Sequence, residues 1–176
     1  MCGIIAAVTV DNAVPILINS LKKLEYRGYD SAGLALETDK DINRIRAVGK
    51  VAELEQKTSR LKARIGIAHT RWATHGVPND VNAHPHYSQD KSISIIHNGI
   101  IENYESIKKA LTKRGHQFES DTDTEVLVHL IEEIQNKENT SLFESVRLAL
   151  NEVIGAYAIA VISIENTDEI IVAKKG

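Results

Sequence analysis

The chain has 176 residues, of which 43% are hydrophobic and 26% are charged, and its formal net charge at pH 7 is −3. This length predicts about one domain, and the composition is that of a folded globular protein rather than a disordered segment. The mildly acidic charge and the lack of a long lysine or arginine block argue against a general nucleic-acid binder. No apolar run reaches the roughly 18 residues of a membrane span, and the single cysteine allows no internal disulfide. We therefore expect a cytoplasmic protein with neither a nucleic-acid nor a membrane partner.

Hydrophobic periodicity along the chain predicts strands and helices that do not alternate regularly. In chain order we expect a strand at 3–10, a helix at roughly 13–25, strands at 32–37 and 42–48, a helix at about 51–60, strands at 64–70 and 92–97, a helix at about 102–114, a helix from the cap at 122 to about 135, a helix at about 141–153, and strands at 156–164 and 169–173. Because the strands cluster toward both ends and the helices come in pairs, the pattern predicts an α+β fold with mainly antiparallel sheets flanked by helices.

Three local signals set the expected boundaries of these elements. Asp11 is of a residue type that caps a helix, and we expect it to begin the first one. The Asn98-Gly99 pair is typical of a turn and is expected to end the strand before it. Thr122 and Glu125 have the spacing of a capping box, which predicts a helix start at this point.

The histidines are unevenly distributed and suggest one possible chemistry. Five of the seven lie in one window, which also contains the long stretch 71–90 without periodicity (His69, His75, His84, His86 and His97). Aperiodic loops of this length inside a domain are commonly functional. His84-Pro85-His86 could ligate a metal, although no HExxH motif or paired-cysteine spacing accompanies it. A metal-dependent hydrolase built on this loop is therefore one alternative.

Cys2 suggests a different chemistry. Removal of Met1 would make Cys2 the N-terminal residue, with its own free α-amine beside the thiol. An α-amine titrates near about 8 and a thiol near about 8.5, so the amine could accept the thiol proton at neutral pH. On the residue alone, a small buried side chain opening a strand is an equally ordinary role.

Further residues could complete such a site. The side-chain amide of Asn98 and the unhindered N–H of Gly99 could stabilise an oxyanion, although a simple turn is the commoner role of this pair. The Arg71 guanidinium and the Asp123 carboxylate could bind the two charged groups of an amino acid, although both could equally be ordinary surface and helix-terminal charges. Trp72 follows directly in the aperiodic stretch, where a gate is an alternative to a core position.

Five sequence blocks, taken together, resemble one enzyme family. They are MCGI at the start, YRGYDSAG at 26–33, GIAHTRWATHG at 66–76, HNGIIENY at 97–104 and DTDTE at 121–125. In order and spacing they are similar to the glutaminase (type-2 glutamine amidotransferase) domain of the glutamine–fructose-6-phosphate aminotransferases. Amidotransferases of purine and asparagine synthesis share the terminal cysteine and Asn-Gly, but differ from two of these strings. The resemblance implies a four-layer αββα N-terminal-nucleophile fold.

The resemblance also implies the roles of the catalytic residues. After removal of Met1, Cys2 would attack the side-chain amide of glutamine, form a γ-glutamyl thioester and release ammonia. Its α-amine would act as general base and then as acid. Asn98 and the Gly99 N–H would hold the oxyanion.

The same resemblance assigns binding and supporting residues. The amino-acid head of glutamine would be bound by Arg71, Thr74, His75 and Asp123, with help from Gly99. Trp72 would close over the substrate and gate ammonia transfer, and Arg27 would support the geometry of Cys2 and Asn98.

The domain organisation implied by the resemblance is that of a partial enzyme. Residues 2–176 would be the glutaminase domain, incomplete at its C-terminal end, and the two sugar-isomerase domains of the family would be absent. L-Glutamine would be the substrate of this part, and fructose 6-phosphate would be bound only through the missing isomerase domains. We expect no metal or organic cofactor and a homo-oligomeric parent enzyme. The alternative is a catalytically inactive fragment that binds glutamine or a partner chain.

Overall fold

Two antiparallel sheets of four strands each, with five α-helices, form the fold in the computed structural model, which describes residues 2–72 and 77–176. The strands are β1 (Gly3–Val8), β2 (Ser31–Glu37), β3 (Ile42–Val48), β4 (Ile65–Arg71), β5 (His86–Tyr87), β6 (Ile93–Ile101), β7 (Gly155–Ser163) and β8 (Ile171–Lys175). The helices are α1 (Val14–Leu24), α2 (Val51–Thr58), α3 (Tyr104–Lys113), α4 (Asp123–Glu138) and α5 (Leu142–Asn151). The predicted α+β class with antiparallel sheets is confirmed.

The first sheet has the strand order β1-β4-β2-β3 and carries α1 and α2 on one face. The apolar stripe of each helix meets the inward side chains of the strands in one buried cluster. Leu17 and Leu21 of α1, Leu54 of α2, and Leu34 and Leu36 of β2 are its fully buried large members. Burial of this stripe stabilises helices that would be marginal in isolation.

The second sheet has the order β5-β6-β7-β8 and carries α3, α4 and α5 on its outer face. Its cluster joins Ile95 and Ile159 of the sheet to Val128 of α4 and Leu142 of α5. In α4 the run Asp123–Glu132 is buried throughout, which makes this helix the most enclosed of those described.

A third cluster lies between the two sheets and completes the layers. It contains Ala35 and Ile67 from the first sheet, and Ile96, Ala160 and Ile162 from the second. The order of layers is therefore helix, sheet, sheet, helix, which confirms the predicted αββα arrangement. Among the described helices, none is long and apolar enough to cross a membrane.

Two of the predicted boundaries are wrong. The first helix has Ala13 as its N-cap residue, and Asn12, rather than Asp11, accepts a hydrogen bond from the Val14 N–H at 3.2 Å. Pro15 occupies the first turn, where its missing N–H costs nothing, and this start places Asp11 outside the helix.

The second difference concerns Asn98-Gly99, which does not end the strand. β6 continues through this pair, and Gly99 lies opposite Tyr157 in the antiparallel register with β7. Gly99 has φ +143°, and a Cβ there would lie 2.1 Å from the Ala156 carbonyl oxygen. The glycine therefore serves a close approach of two strands rather than a hairpin turn.

Of the two hydrogen bonds in the predicted capping box at the start of α4, one is confirmed. The Thr122 hydroxyl accepts a hydrogen bond from the Glu125 N–H at 3.3 Å. The Glu125 carboxylate, however, accepts from the N–H groups of Glu119 and Ser120 at 2.8 and 2.6 Å. The glutamate thus holds the loop before the helix rather than closing the reciprocal bond to Thr122.

Candidate active site

A cavity of about 260 Å³ opens where β1, β4, β6 and the start of α4 meet. Six of the residues predicted to act in glutamine hydrolysis line it: Cys2, Arg71, Trp72, Asn98, Gly99 and Asp123. The antiparallel pairing of Gly3 with Thr70 sets the start of β1 beside the end of β4. Cys2 and Arg71, far apart along the chain, therefore become neighbours. Thr74 and His75 lie outside the described residues.

The predicted nucleophile Cys2 is half-buried and held by the neighbouring backbone. The Trp72 N–H donates to Cys2 Sγ at 3.2 Å, and the thiol lies 3.7 Å from the Trp72 carbonyl oxygen. The Asn98 side-chain Nδ2 donates to the Cys2 carbonyl oxygen at 3.2 Å. The thiol and the Asn98 amide are thus brought to the same wall of the cavity, as their predicted partnership requires.

Arg71 and Asp123 place opposite charges on the cavity wall, and both side chains are buried. Burial lowers the pKa of Arg71, while attraction to Asp30, Cys2 and Asp123 opposes that shift. The Asp123 carboxylate accepts the Ile101 N–H at 2.8 Å and begins α4, where the helix dipole favours a negative charge. One wall therefore suits a carboxylate and another suits an ammonium group.

Thr124 is a lining residue that sequence reasoning missed. Its hydroxyl lies 2.9 Å from His84 Nε2 and 2.9 Å from His97 Nδ1, and all three residues line the cavity. A hydroxyl can donate to one nitrogen and accept from the other, so it couples the two rings. His97 Nδ1 also lies 3.9 Å from an Asp123 carboxylate oxygen. In the sequence, Thr124 was marked only by its place in the DTDTE block, next to Asp123.

The buried histidines behind the cavity form a packed column. The rings of His69 and His84 stack with centroids 4.3 Å apart, and those of His84 and His86 meet edge to face at 4.8 Å. Burial lowers the pKa of His69 to about 3 and holds the pKa values of His84 and His86 well below 6.5. These rings are therefore neutral at pH 7.

The alternative prediction was a metal site at His84-Pro85-His86. In residues 2–72 and 77–176, no group of three potential metal ligands includes these histidines. His84 Nε2 contacts the Thr124 hydroxyl, and His86 Nε2 lies 3.1 Å from the Thr122 hydroxyl. Within residues 2–72 and 77–176, the group of three side chains with metal-ligating geometry lies elsewhere, at the far side of α4.

Trp72 is 55% exposed at the cavity mouth, which suits the gate predicted for it. Its ring packs over Gly28, where a Cβ would lie 2.8 Å from Trp72 Cζ3, and Gly28 has φ +76°. A side chain at this position would displace the indole ring, and the positive φ also favours glycine. Arg27 directly precedes this contact, and its supporting role stays a prediction.

Comparisons with known proteins agree with this geometry. The family model described as "Glutamine amidotransferase domain" matches residues 54–175. A Bacteroides thetaiotaomicron protein named glutamine--fructose-6-phosphate aminotransferase [isomerizing] is 54% identical over 99% of this chain and 29% of its own length. A Thermus thermophilus protein of the same name is 49% identical over 99% of this chain and 28% of its own length. The chain thus spans well under a third of the curated relatives it matches.

Solved structures give the same answer for the fold. The glutamine phosphoribosylpyrophosphate amidotransferase from B. subtilis superposes with a TM-score of 0.80 at 27% identity, over 99% of this chain and 36% of that one. A structure described as the allosteric regulatory enzyme of purine biosynthesis gives a TM-score of 0.81, also at 27% identity, over 99% of this chain and 37% of that one. The predicted N-terminal-nucleophile fold is confirmed. Since the family model covers well over half of the sequence, this chain belongs to the glutamine amidotransferase domain family.

Proposed function

We propose that this chain is the glutamine-hydrolysing part of a glutamine–fructose-6-phosphate aminotransferase. It would release ammonia from L-glutamine, and that ammonia would convert fructose 6-phosphate to glucosamine 6-phosphate. The observation that carries the proposal is the meeting of Cys2, Asn98-Gly99, Arg71 and Asp123 around one cavity of about 260 Å³. A thiol, an oxyanion-binding pair and two opposite charges are the groups that glutamine hydrolysis requires.

Substrate recognition rests on the two charged walls of the cavity. The Arg71 guanidinium matches the α-carboxylate of glutamine, and the Asp123 carboxylate matches its α-ammonium group. Both side chains are buried, so each charge is weakly screened and an unpaired one is costly. A substrate that pairs both at once is therefore favoured over one that carries a single charge.

The chemical step begins at Cys2 once Met1 has been removed. The α-amine takes the thiol proton, and the thiolate adds to the amide carbon of glutamine. The Asn98 side-chain amide and the Gly99 N–H stabilise the resulting oxyanion. The protonated amine then gives its proton to the leaving nitrogen, which departs as ammonia and leaves a γ-glutamyl thioester. Water hydrolyses the thioester to glutamate and restores the thiol.

The acceptor chemistry and the assembly lie outside the matched region in this proposal. The relatives are more than three times as long as the part aligned here, since the chain covers 28 to 29% of them. We place the binding of fructose 6-phosphate and the homo-oligomer contacts in the remaining length, and the enzyme in the cytoplasm. The competing proposal is a fragment that binds glutamine or a partner chain without turnover.

Intact mass spectrometry after incubation with a glutamine-mimicking diazoketone tests the site directly. Cys2 is the only cysteine, so a thiol adduct can form at no other residue. We expect a mass that lacks Met1 and carries one adduct, and no adduct in Cys2→Ala. Retained Met1 would exclude the amine-assisted mechanism. Loss of Met1 without an adduct, together with glutamine binding by calorimetry, would favour the fragment without turnover.

A further inference from the structure

A second group of buried polar side chains lies on α4, distant from the amidotransferase cavity. His129 and Glu132 stand one helical turn apart on α4, and His116 reaches them from the turn after α3. The three side chains are buried, and their potential ligand atoms all lie within 4.8 Å of one another. His116 Nδ1 is 3.0 Å from His129 Nδ1 and 3.7 Å from Glu132 Oε2.

A carboxylate lies behind each of the two histidine rings. His116 Nε2 lies 3.1 Å from Glu133 Oε2, and His129 Nε2 lies 3.7 Å from Glu125 Oε1. A carboxylate favours the tautomer that carries its proton on the facing nitrogen. With a proton on each Nε2, the two Nδ1 atoms, which lie 3.0 Å apart, both offer lone pairs that a metal ion can accept. A carboxylate behind a histidine is also the usual outer partner of a metal-bound imidazole.

The separations suit a small divalent ion. Zinc binds imidazole nitrogen at about 2.0–2.1 Å and carboxylate oxygen at about 2.0–2.2 Å, so tetrahedral ligand atoms stand roughly 3.4 Å apart. Two of the three separations, 3.0 and 3.7 Å, lie on either side of that spacing, and all three ligand atoms lie within 4.8 Å of one another. Glu132 is also anchored in advance, since its carboxylate accepts the N–H groups of Gln89 and Asp90 at 3.1 and 2.9 Å.

We propose that His116, His129 and Glu132 bind one divalent cation of the zinc class, through the two Nδ1 atoms and a carboxylate oxygen. Water would take the fourth position. An adjoining cavity of about 240 Å³, lined in part by His129 and Glu125, supplies the path for the ion and the water. The cavity is also lined by Arg44, Arg46 and Lys91, whose positive charges are partly offset by Glu119 and Glu125 in the same wall.

The bound ion would connect the elements that pack around α4. The ion would join α4 to the turn after α3, and Glu132 joins α4 to the loop before β6. The same helix begins with Asp123, which lines the substrate cavity. Ion binding is therefore expected to raise the thermal stability of the chain, since a ligand that binds only the folded state stabilises it.

Zinc titration of the chelator-stripped chain tests this proposal. The full chain carries Cys2→Ser so that no thiol competes, and Zn²⁺ is titrated against a chromophoric chelator. We expect one equivalent bound, a rise in melting temperature, and a Co²⁺ absorption spectrum typical of tetrahedral nitrogen and oxygen ligands. Glu132→Gln should weaken zinc binding at least tenfold and abolish the thermal shift. Glu138→Gln, an exposed change on the same helix, is the matched control and should bind as the parent does.

A third variant keeps the test decisive if Glu132→Gln fails to fold by circular dichroism. Glu133→Gln retains all three ligands and removes the carboxylate behind His116, together with its ion pair to the exposed Arg114, so affinity should fall by about 10- to 100-fold. Equal zinc affinity in Glu132→Gln and Glu138→Gln would overturn the proposal. So would binding weaker than millimolar in the parent chain, or an octahedral cobalt spectrum. None of these readouts depends on glutamine turnover.

Discussion

Two groups of buried histidines stand on opposite sides of α4, and they differ in what faces their nitrogens. Near the substrate cavity, His84 and His97 share the hydroxyl of Thr124, and His97 Nδ1 also lies 3.9 Å from an Asp123 carboxylate oxygen. On the far side, His116 and His129 face each other through Nδ1 and face carboxylates through Nε2. The comparison teaches that burial alone does not decide what a histidine does. Rings that share a hydroxyl group suit a positioning role, whereas rings whose Nδ1 atoms face each other beside a carboxylate suit the binding of a cation.

Loss of the Cys2 thiol should produce the largest change, a fall in glutamine hydrolysis that leaves the histidines on the far side of α4 unaffected. Cys2→Ala removes the proposed nucleophile, so glutamate release should fall by at least about 10³-fold. Circular dichroism should show an unchanged fold, and zinc affinity at His116, His129 and Glu132 should be unchanged. Residual turnover close to the parent rate would contradict the role of Cys2.

Acid should destabilise the fold strongly through its buried histidines, whose pKa values are lowered by burial. The pKa of His69 is lowered from 6.5 to about 3 by burial, so between these values the unfolded chain binds a proton that the folded chain does not. Stability is then complete above pH 6.5 and falls as the pH drops toward 3, by up to about 1.4 kcal/mol per pH unit for each such histidine. His84 and His86 shift in the same direction and steepen the loss. Urea denaturation at a series of pH values measures the slope, and a flat profile between pH 7 and 4 would refute it.

Removal of the Asp123 charge should alter glutamine binding more than the chemical step. Asp123→Asn deletes the proposed partner of the α-ammonium group, so KM should rise by about 10- to 100-fold with a smaller change in kcat. Asp121→Asn is the matched control, since this neighbouring carboxylate is exposed and does not line the cavity. A fall in kcat alone would count against a binding role.

The smallest effect is expected from the hydroxyl that joins the two cavity-side rings. Thr124→Val keeps the shape of the side chain but leaves His84 Nε2 and His97 Nδ1 without this partner, which should cost about 1–3 kcal/mol of the free energy of unfolding. Thr112→Val removes an exposed hydroxyl that bonds within α3 and serves as control. Denaturant midpoints of the two variants measure the loss of stability. An equal loss in both would show that the contacts of Thr124 with the two histidines add no stability.

Prediction from sequence succeeded where the signal was local. The strand Ile42–Val48 follows from alternation of side chains, and the start of α4 follows from the Thr122 cap. It failed at Asn98-Gly99, because the need for glycine comes from the Ala156 carbonyl oxygen of a neighbouring strand. A contact with a residue so far along the chain cannot be predicted from the residues that flank the glycine.

Residue identity, order and periodicity were enough to predict the family, the α+β class and the side chains available for chemistry. Which of these side chains meet depends on how the strands and helices pack in three dimensions. The pairing of β1 with β4 brings Cys2 to Arg71, and the approach of β6 brings Asn98 to Cys2. The packing of α4 separates the histidines into two groups with different partners, since hydrogen bonds of a few ångströms depend on distances that sequence separation does not encode.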